Sequence, residues 1–576
     1  MESSIAAIET VSNFIWGGTW GDTRLLPVGP LAVILLGTGI FMMIRIGARP
    51  LRRFVPAVIE VWQGRKAQGE DGVITPWQAL STALSGQVGT GNLAGVATAI
   101  TLGGPGSIFW MWVVALFGMA LAFSESSLAI KYREVDAHGR INGGPMYYIK
   151  NGLGRNWGWL AVIFCLGTLF SAATTGSMIQ AHSITEAVLE TGSQLEVSIP
   201  DWGVGLVLSA LVFAVIIGGI RSIGSFAGKV VPVMAGLYVL VALVVLILNA
   251  PAVPGAFMEI IGSAFGWQEA AGGAAGYGVL SAIRAGIARG LFSNEAGQGS
   301  APIAHAAAQT KNPVTQGEIA MIGVFIDTII ICTMTALVIL TATSDFRKSP
   351  ALVAANQCAA GGIELPLDPA SAGNDRYSVE ALFPSAYEDD REARVAAVGA
   401  TAQAWLLACR AAGIEVSELA LEAAANPDVL TNVDHAWQTD ANSAAITTRA
   451  YEAALPGLGK WIVPVALFFF AFTTIIGWSY YGEQAITYLL GDWATRPFRY
   501  LWVLGVFAGA IASADWLWLL GDIANASMAF PNLIAILALS GVVVAMHRAN
   551  DDPGHGHPIQ DAPRRSEDGE TQDADR

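Results

Sequence analysis

The stretch from Ser85 to Gly95, SGQVGTGNLAG, constrains this chain more than any other. Apolar residues flank it, Trp77 to Leu84 before and Val96 to Leu102 after, so hydropathy puts it inside a membrane-spanning segment. Yet it carries Gly86, Gly89, Gly91 and Gly95, interleaved with Gln87, Thr90 and Asn92. Each glycine costs a helix interior roughly 1 kcal/mol relative to alanine. The stretch is therefore expected to unwind, which frees N–H and C=O groups that hydrocarbon cannot satisfy. Such a break persists only where a cavity, an ion or a substrate takes up those groups. The bland alternative is a glycine-rich helix packed closely against its neighbours.

A second break favours the first reading. Gly290 to Pro302, GLFSNEAGQGSAP, also lies between apolar flanks, roughly 200 residues later. It holds Gly297, Gly299 and Pro302, with Ser293, Asn294, Glu295 and Gln298 among them. Proline inside a helix removes a backbone hydrogen bond and costs about 3 kcal/mol. An ionisable side chain such as Glu295 at membrane depth points to a functional site. Paired breaks in corresponding helices of two halves mark a transporter's binding site.

Of the 576 residues 53% are hydrophobic and 13% charged, which excludes a soluble globular domain and implies a polytopic membrane protein. The net charge of −15 arises largely from one hydrophilic insert, and no long basic stripe suggests nucleic acid. Cys165 and Cys332 fall in apolar segments and Cys358 and Cys409 in the insert, without metal-ligand spacing. The N-terminus lacks a basic n-region, so no cleaved signal peptide is expected.

Eleven apolar runs follow in order: about 28–46, 77–102, 108–130, 157–189, 204–220, 230–248, 279–308, 319–341, 461–490, 501–514 and 531–546. A Trp-rich amphipathic stretch, Asp515 to Ala529, precedes the last. Lys/Arg clusters fall on every second loop, which places the N-terminus outside and the C-terminus in the cytoplasm of a cell-membrane protein. With the first run set aside, five runs precede Gly255 and five follow it. Both fives open on a broken run, and each has its long run in third place. An odd number gives the halves opposite topology, the mark of an inverted repeat with a midplane site. The expected fold is therefore all-α and polytopic, about 11 transmembrane helices in a 5+5 inverted repeat with two discontinuous helices. Its expected divisions are an extra N-terminal helix in 1–50, a first repeat in 76–250 and a second in 276–343 and 460–548. An outward-facing insert (344–459) and a polar tail (549–576), expected to be disordered, complete the chain. In the insert Cys358 and Cys409 either form a disulfide or stay unpaired. Its stretches 405–409 and 429–437 are candidates to cap the outer vestibule.

The segments SGQVGTGNLAGVATAI, GGPGSIFWMWVVALFGMALAFSE, GGPMYYI, SNEAGQGSAPIAHAAA, DTIIICTMTALVIL and FTTIIGWSYYGE, with MAFPNL later, resemble the alanine or glycine:cation symporter family. The resemblance implies a fold similar to the leucine-transporter-like superfamily. It also implies import of small amino acids, chiefly alanine and glycine, with sodium and sometimes protons. The fourth run departs from the family, reading GSMIQAHS where asparagines are expected near Ser177 and His182.

A zwitterionic amino acid needs donors for its carboxylate and acceptors for its ammonium, and broken helices supply both. The N–H groups around Gly89, Thr90 and Gly91 are the expected carboxylate binders, with Gln87 fixing the polar end and Asn92 offering an oxygen to a nearby sodium. Groups from Ser293 through Asn294 and Glu295 to Ala296 are expected to receive the ammonium, and Glu295 either touches substrate or ties the broken helix. By analogy with the superfamily, a second sodium would sit between the backbone oxygens of Ser85 and Val88 and the hydroxyls of Thr473 and Thr474. Hard oxygen ligands suit this cation; the alternative for both threonines is back-bonding to the preceding turn. Trp478 is either a wall limiting side-chain size or lipid-facing. Asp327 and Gln180 read as supporting or gating groups, or as packing hydrogen bonds, and His305 as a structural residue with proton coupling as its alternative.

An intramembrane enzyme would show H-E-x-x-H or G-x-S-x-G, and neither is present. GTGNLAG lacks dinucleotide-fingerprint spacing, and no cofactor is implied beyond sodium as a transported ion. The expected activity is sodium-coupled symport of alanine or glycine. The alternatives are a proton-coupled symporter and a transporter-like sensor.

Overall fold

The computed structural model describes residues 2–20, 23–26, 28–66, 72–136, 140–194, 197–266, 275–342, 443–512, 515–551 and 564–565. Most of the insert, including Cys358, Cys409 and the 405–409 and 429–437 stretches, lies outside the described residues, as does most of the tail.

The chain is helical almost throughout. Helix α1 (Glu2–Gly17) and a short hairpin, β1 (Thr19–Trp20) and β2 (Thr23–Arg24), precede α2 (Pro30–Arg45), the extra helix of the sequence reading. The basic stretch after it is not a loop: it forms α3 (Arg49–Arg52) and α4 (Phe54–Gln63). The first broken helix is α5 (Pro76–Gln87) with α6 (Ala94–Gly103). Thr75 and Gln78 start α5 by exchanging side-chain and backbone hydrogen bonds at 3.0 and 3.2 Å, with Pro76 at the first helical position.

Helix α7 (Gly106–Lys131) is followed by a hairpin, β3 (Glu134–Val135) and β4 (Ile141–Asn142), beside which Arg564–Arg565 pairs as β5. Then come α8 (Pro145–Tyr148), α9 (Gly158–Ser171) and α10 (Ile179–Gln194). The last two are joined without interruption by a π-helical segment, Ala172–Met178. Helices α11 (Asp201–Ile216) and α12 (Gly219–Leu248) close the first five. Helix α12 starts 11 residues before the expected run, so Arg221 and Lys229 lie inside it.

After α13 (Val253–Ala264), the second broken helix is α14 (Ala275–Asn294) with α15 (Ala301–Ala306). Helix α16 (Pro313–Val324) continues through a π-helical segment, Phe325–Cys332, into α17 (Thr333–Ala342). The insert ends in α18 (Ser443–Ala454), which packs on α6, α17 and the long α19 (Gly459–Leu490). Helix α20 (Thr495–Ile511) precedes α21 (Asp515–Ala538), with α22 (Ser540–Asp551) following directly. The Trp-rich stretch Asp515 to Ala529 is thus not a separate amphipathic lead-in but the first part of α21 itself.

Six stretches among the described residues are long and apolar enough to cross a membrane, and α2, α6 and α11 are shorter apolar helices. Both sets of five open on the broken helix, and the halves interlock. Helix α7 lies against α14, α15 and α16, while α5 lies against α15, α16 and α19. The two breaks therefore meet in the middle of the bundle.

Candidate substrate and ion site

The first break is narrower than the glycines suggest: Gly86 and Gly95 stay helical, and the unwound part runs from Val88 to Leu93 with one 3-10 turn at Thr90–Asn92. Asn92 folds back so that its Oδ1 accepts the Gly89 N–H at 2.9 Å. Gln180, from the helix after the Ala172–Met178 segment, reaches the same turn. Its Oε1 accepts the Thr90 N–H at 3.3 Å and its Nε2 donates to Thr90 Oγ1 at 3.1 Å. Side chains thus hold two of the N–H groups assigned to a carboxylate, Gly89 and Thr90.

The second break covers Glu295 to Ser300. Glu295, Gly297 and Gly299 all take left-handed backbone, with φ of 56, 84 and 89°. For glycine that conformation is free; for Glu295 it carries strain that the surroundings must hold. They do: Ser300 Oγ donates to Glu295 Oε2 at 2.6 Å and Trp478 Nε1 to its Oε1 at 2.8 Å. Pro302 is not in the break at all. It sits in the first turn of α15, where its missing N–H removes no bond.

The two breaks are joined directly. Gln87 Nε2 donates to the Asn294 carbonyl at 2.9 Å. Beside that tie lies a buried carboxylate, Asp327, in the Phe325–Cys332 segment. It accepts Asn92 Nδ2 at 2.6 Å, Ser293 Oγ at 2.7 Å and Thr328 Oγ1 at 2.8 Å. Asp327 is thus in contact with residues of both breaks, and all three donors are neutral. Asn294 also serves the break, with its Oδ1 accepting the Ala296 N–H and its Nδ2 donating to Thr328 Oγ1.

Where a second sodium is expected, Thr474 Oγ1 lies within donor reach of the Val88 carbonyl at 3.3 Å and the Phe470 carbonyl at 3.0 Å, and its one proton serves either. Thr473 back-bonds to Phe470 and faces Met234 Sδ at 3.6 Å. The structure therefore brings Val88 and Thr474 together, with Ser85 close by on α5, and turns Thr473 towards α12. Contact is close here: a Cβ on Gly89 would lie 2.6 Å from Thr474 Oγ1, and one on Gly477 2.5 Å from Ser85 Oγ. Trp478 is buried rather than lipid-facing, at 1% exposure, against Gly176. His305 is held by Gln316 at 2.6 Å.

Further residues complete the site. Glu125 accepts Asn532 Nδ2 at 2.8 Å and the Gly297 N–H at 3.4 Å, and Asn532 also donates to the Gly297 carbonyl at 2.9 Å. Tyr148 in turn donates to Asn532. The rule that flagged Glu295, an ionisable side chain within an apolar run, also finds Glu125. Among the described residues, buried Gln87 Oε1, Thr175 Oγ1, Ser177 Oγ and Tyr481 Oη have no hydrogen-bond partner. Of these, Gln87 Oε1 lies on the residue that ties the two breaks together.

The sequence model of the sodium:alanine symporter family matches residues 6–363 and 405–552. The chain is 36% identical to the sodium/alanine symporter AgcS of Methanococcus maripaludis over 95% of this chain and 97% of that protein. It is 37% identical to an uncharacterized transporter of Haemophilus influenzae, over 94% and 95%. With the probable sodium/glutamine symporter GlnT of Bacillus subtilis it shares 38% identity over 56% of this chain and 64% of that protein. Among solved structures it is similar to MhsT in complex with L-phenylalanine, at 14% identity and a TM-score of 0.35, over 83% of this chain and all of that one. Two joined breaks in an all-helical bundle and a family match over most of its length lead to one conclusion: this chain is a multi-pass membrane transporter belonging to the sodium:alanine symporter family.

Proposed function

We propose that this transporter takes up small neutral amino acids, alanine or glycine, together with sodium by alternating access. The observation that carries the reading is the joint between the breaks, where Gln87 bonds to Asn294 and Asp327 gathers Asn92 and Ser293. A carboxylate held by three neutral donors, with exchangeable hydroxyl and amide oxygens around it, has the chemistry to take a hard monovalent cation. The substrate carboxylate would displace the side-chain acceptors at Gly89 and Thr90. Its ammonium would face Ser293, Asn294 and Ala296, and Trp478 would limit side-chain size. Glu295, bound by Trp478 and Ser300, would tie the break rather than meet the substrate. A second sodium would use Val88, Ser85 and Thr474. The membrane orientation supported by the basic loops puts the N-terminus outside and the C-terminus inside.

The test is uptake of labelled alanine and glycine into proteoliposomes with and without an inward sodium gradient. Accumulation driven by the gradient is expected for at least one of them; uptake indifferent to sodium would overturn the reading.

A further inference from the structure

The segment joining α2 to α5 is the most basic part of an acidic chain. It carries Arg45, Arg49, Arg52, Arg53, Arg65 and Lys66. These cations are not equivalent. Arg49 is fully buried, bound to Glu318 at 2.6 Å and to Asp551 at 2.8 Å. Arg53 reaches Glu318 at 3.2 Å and Glu60 at 3.4 Å. Both are paired with carboxylates, Arg49 fully buried and Arg53 partly exposed. Arg65 is held between rings, 3.8 Å from the Trp62 centroid and 4.2 Å from that of Trp77. Arg45, Arg52 and Lys66 are exposed, and none of them forms an ion pair among the described residues.

Two of these, Arg45 and Arg52, flank the turn after α2. Gly47 and Ala48 both take left-handed backbone, with φ of 59 and 53°, which turns the chain sharply between α2 and α3. Arg52 Nη2 then lies only 3.0 Å from where a Cβ on Gly47 would be, two residues from Arg45. Next to this pair runs an exposed apolar row with helical spacing: Leu51 at 60%, Val55 at 67%, Ile59 at 51% and Trp62 at 67% exposure. The opposite side of α4, Ala57 and Val61, is buried in the bundle. Arg45, 5.6 Å from the Phe41 ring centroid, and Arg52 are exposed cations without an ion pair among the described residues. Such cations at the end of a membrane helix beside an apolar strip match an anionic lipid, headgroup and acyl chain together.

We infer that Arg45 and Arg52, with the Leu51, Val55, Ile59 and Trp62 strip, form a docking surface for anionic phospholipid in the leaflet where α2 ends, and that Arg49 and Arg53 take no part in it. Calling that leaflet cytoplasmic rests on the orientation proposed above; the surface itself does not. Because Arg65 links Trp62 to Trp77 in the first turn of α5, a lipid seated here bears directly on the helix that leads into the first break.

The test uses the full chain in vesicles of phosphatidylcholine with a minor fraction of phosphatidylglycerol, measuring selectivity with spin-labelled versions of each lipid. The wild type is expected to prefer phosphatidylglycerol, with a preference that falls as salt is raised. R45Q/R52Q is expected to lose it by roughly 25-fold, about fivefold per cation near the surface. R155Q, which removes an exposed cation elsewhere, is expected to keep it. If the double variant fails to fold, the salt series and Trp62→Ala on the folded protein decide instead. No preference in the wild type, a preference insensitive to salt, or one retained in R45Q/R52Q would overturn the inference. The readout is lipid association, so its failure is distinguishable from a failure of the transport reading.

Discussion

Gln87 and Asn294, one from each broken helix, meet through a single hydrogen bond from side-chain amide to main-chain carbonyl at 2.9 Å. The donor stands one residue before the first break begins, and the acceptor is the last residue of α14. The bond ties the two breaks to each other.

Removing that bond leaves the Asn294 carbonyl buried without this partner, a loss of about 1–2 kcal/mol. Gln87→Leu is therefore expected to lower kcat/KM for amino acid uptake by roughly tenfold while the protein stays folded. Initial-rate uptake in proteoliposomes checks this; unchanged kinetics would show that the breaks communicate elsewhere.

Asp327 should govern the cation. Asp327→Asn keeps the shape but removes the charge around which Asn92 and Ser293 are arranged. Its sodium half-saturation should rise at least tenfold, and Asn92→Ala, which loses the amide that binds Asp327, should move it in the same direction. Sodium titration of uptake decides. Wild-type sodium dependence in both variants would exclude this cluster as a sodium site.

Close approach at the first break gives a double-mutant prediction. A methyl on Gly89 would collide with Thr474 Oγ1 at 2.6 Å. Gly89→Ala should abolish transport, and adding Thr474→Ala, which removes that hydroxyl, should restore part of the folded-state stability. Thermal unfolding of the single and double variants measures the coupling, expected at about 1–3 kcal/mol. Simple additivity would mean that the contact is not made.

Away from the two breaks, the Glu60 carboxyl on α4 is pushed up to about 8, first by burial and then by the nearby Glu318 carboxylate. A raised carboxyl favours folding most when protonated, below its unfolded value of 4.5, and that contribution is lost as pH rises through about 8. Glu60→Gln should therefore match the wild type near pH 4.5 and become progressively more stable than it up to about pH 8. Melting temperatures across that range test the sign. A constant difference would show that Glu60 is not perturbed.

The sequence showed the breaks because glycine and amide residues inside apolar runs have no bland role when they occur twice at matching places. It overstated their length, since Gly86 and Gly95 pack as helix and Pro302 begins α15 instead of interrupting it. It missed the left-handed Glu295, because a positive φ at a non-glycine residue is imposed by partners, here Ser300 and Trp478. The π-helical segments were likewise hidden. Of these, Phe325–Cys332 carries Asp327 and Ala172–Met178 leads to Gln180. Helix α12 outran its hydropathy window because Arg221 and Lys229 end an apolar run without ending a helix.

Coupling of sodium to amino acid is read from the reciprocal flux. Labelled sodium influx into proteoliposomes should rise when alanine or glycine is given an inward gradient. The rise should vanish in Asp327→Asn. Amino acid flux that carries no sodium with it would contradict the account.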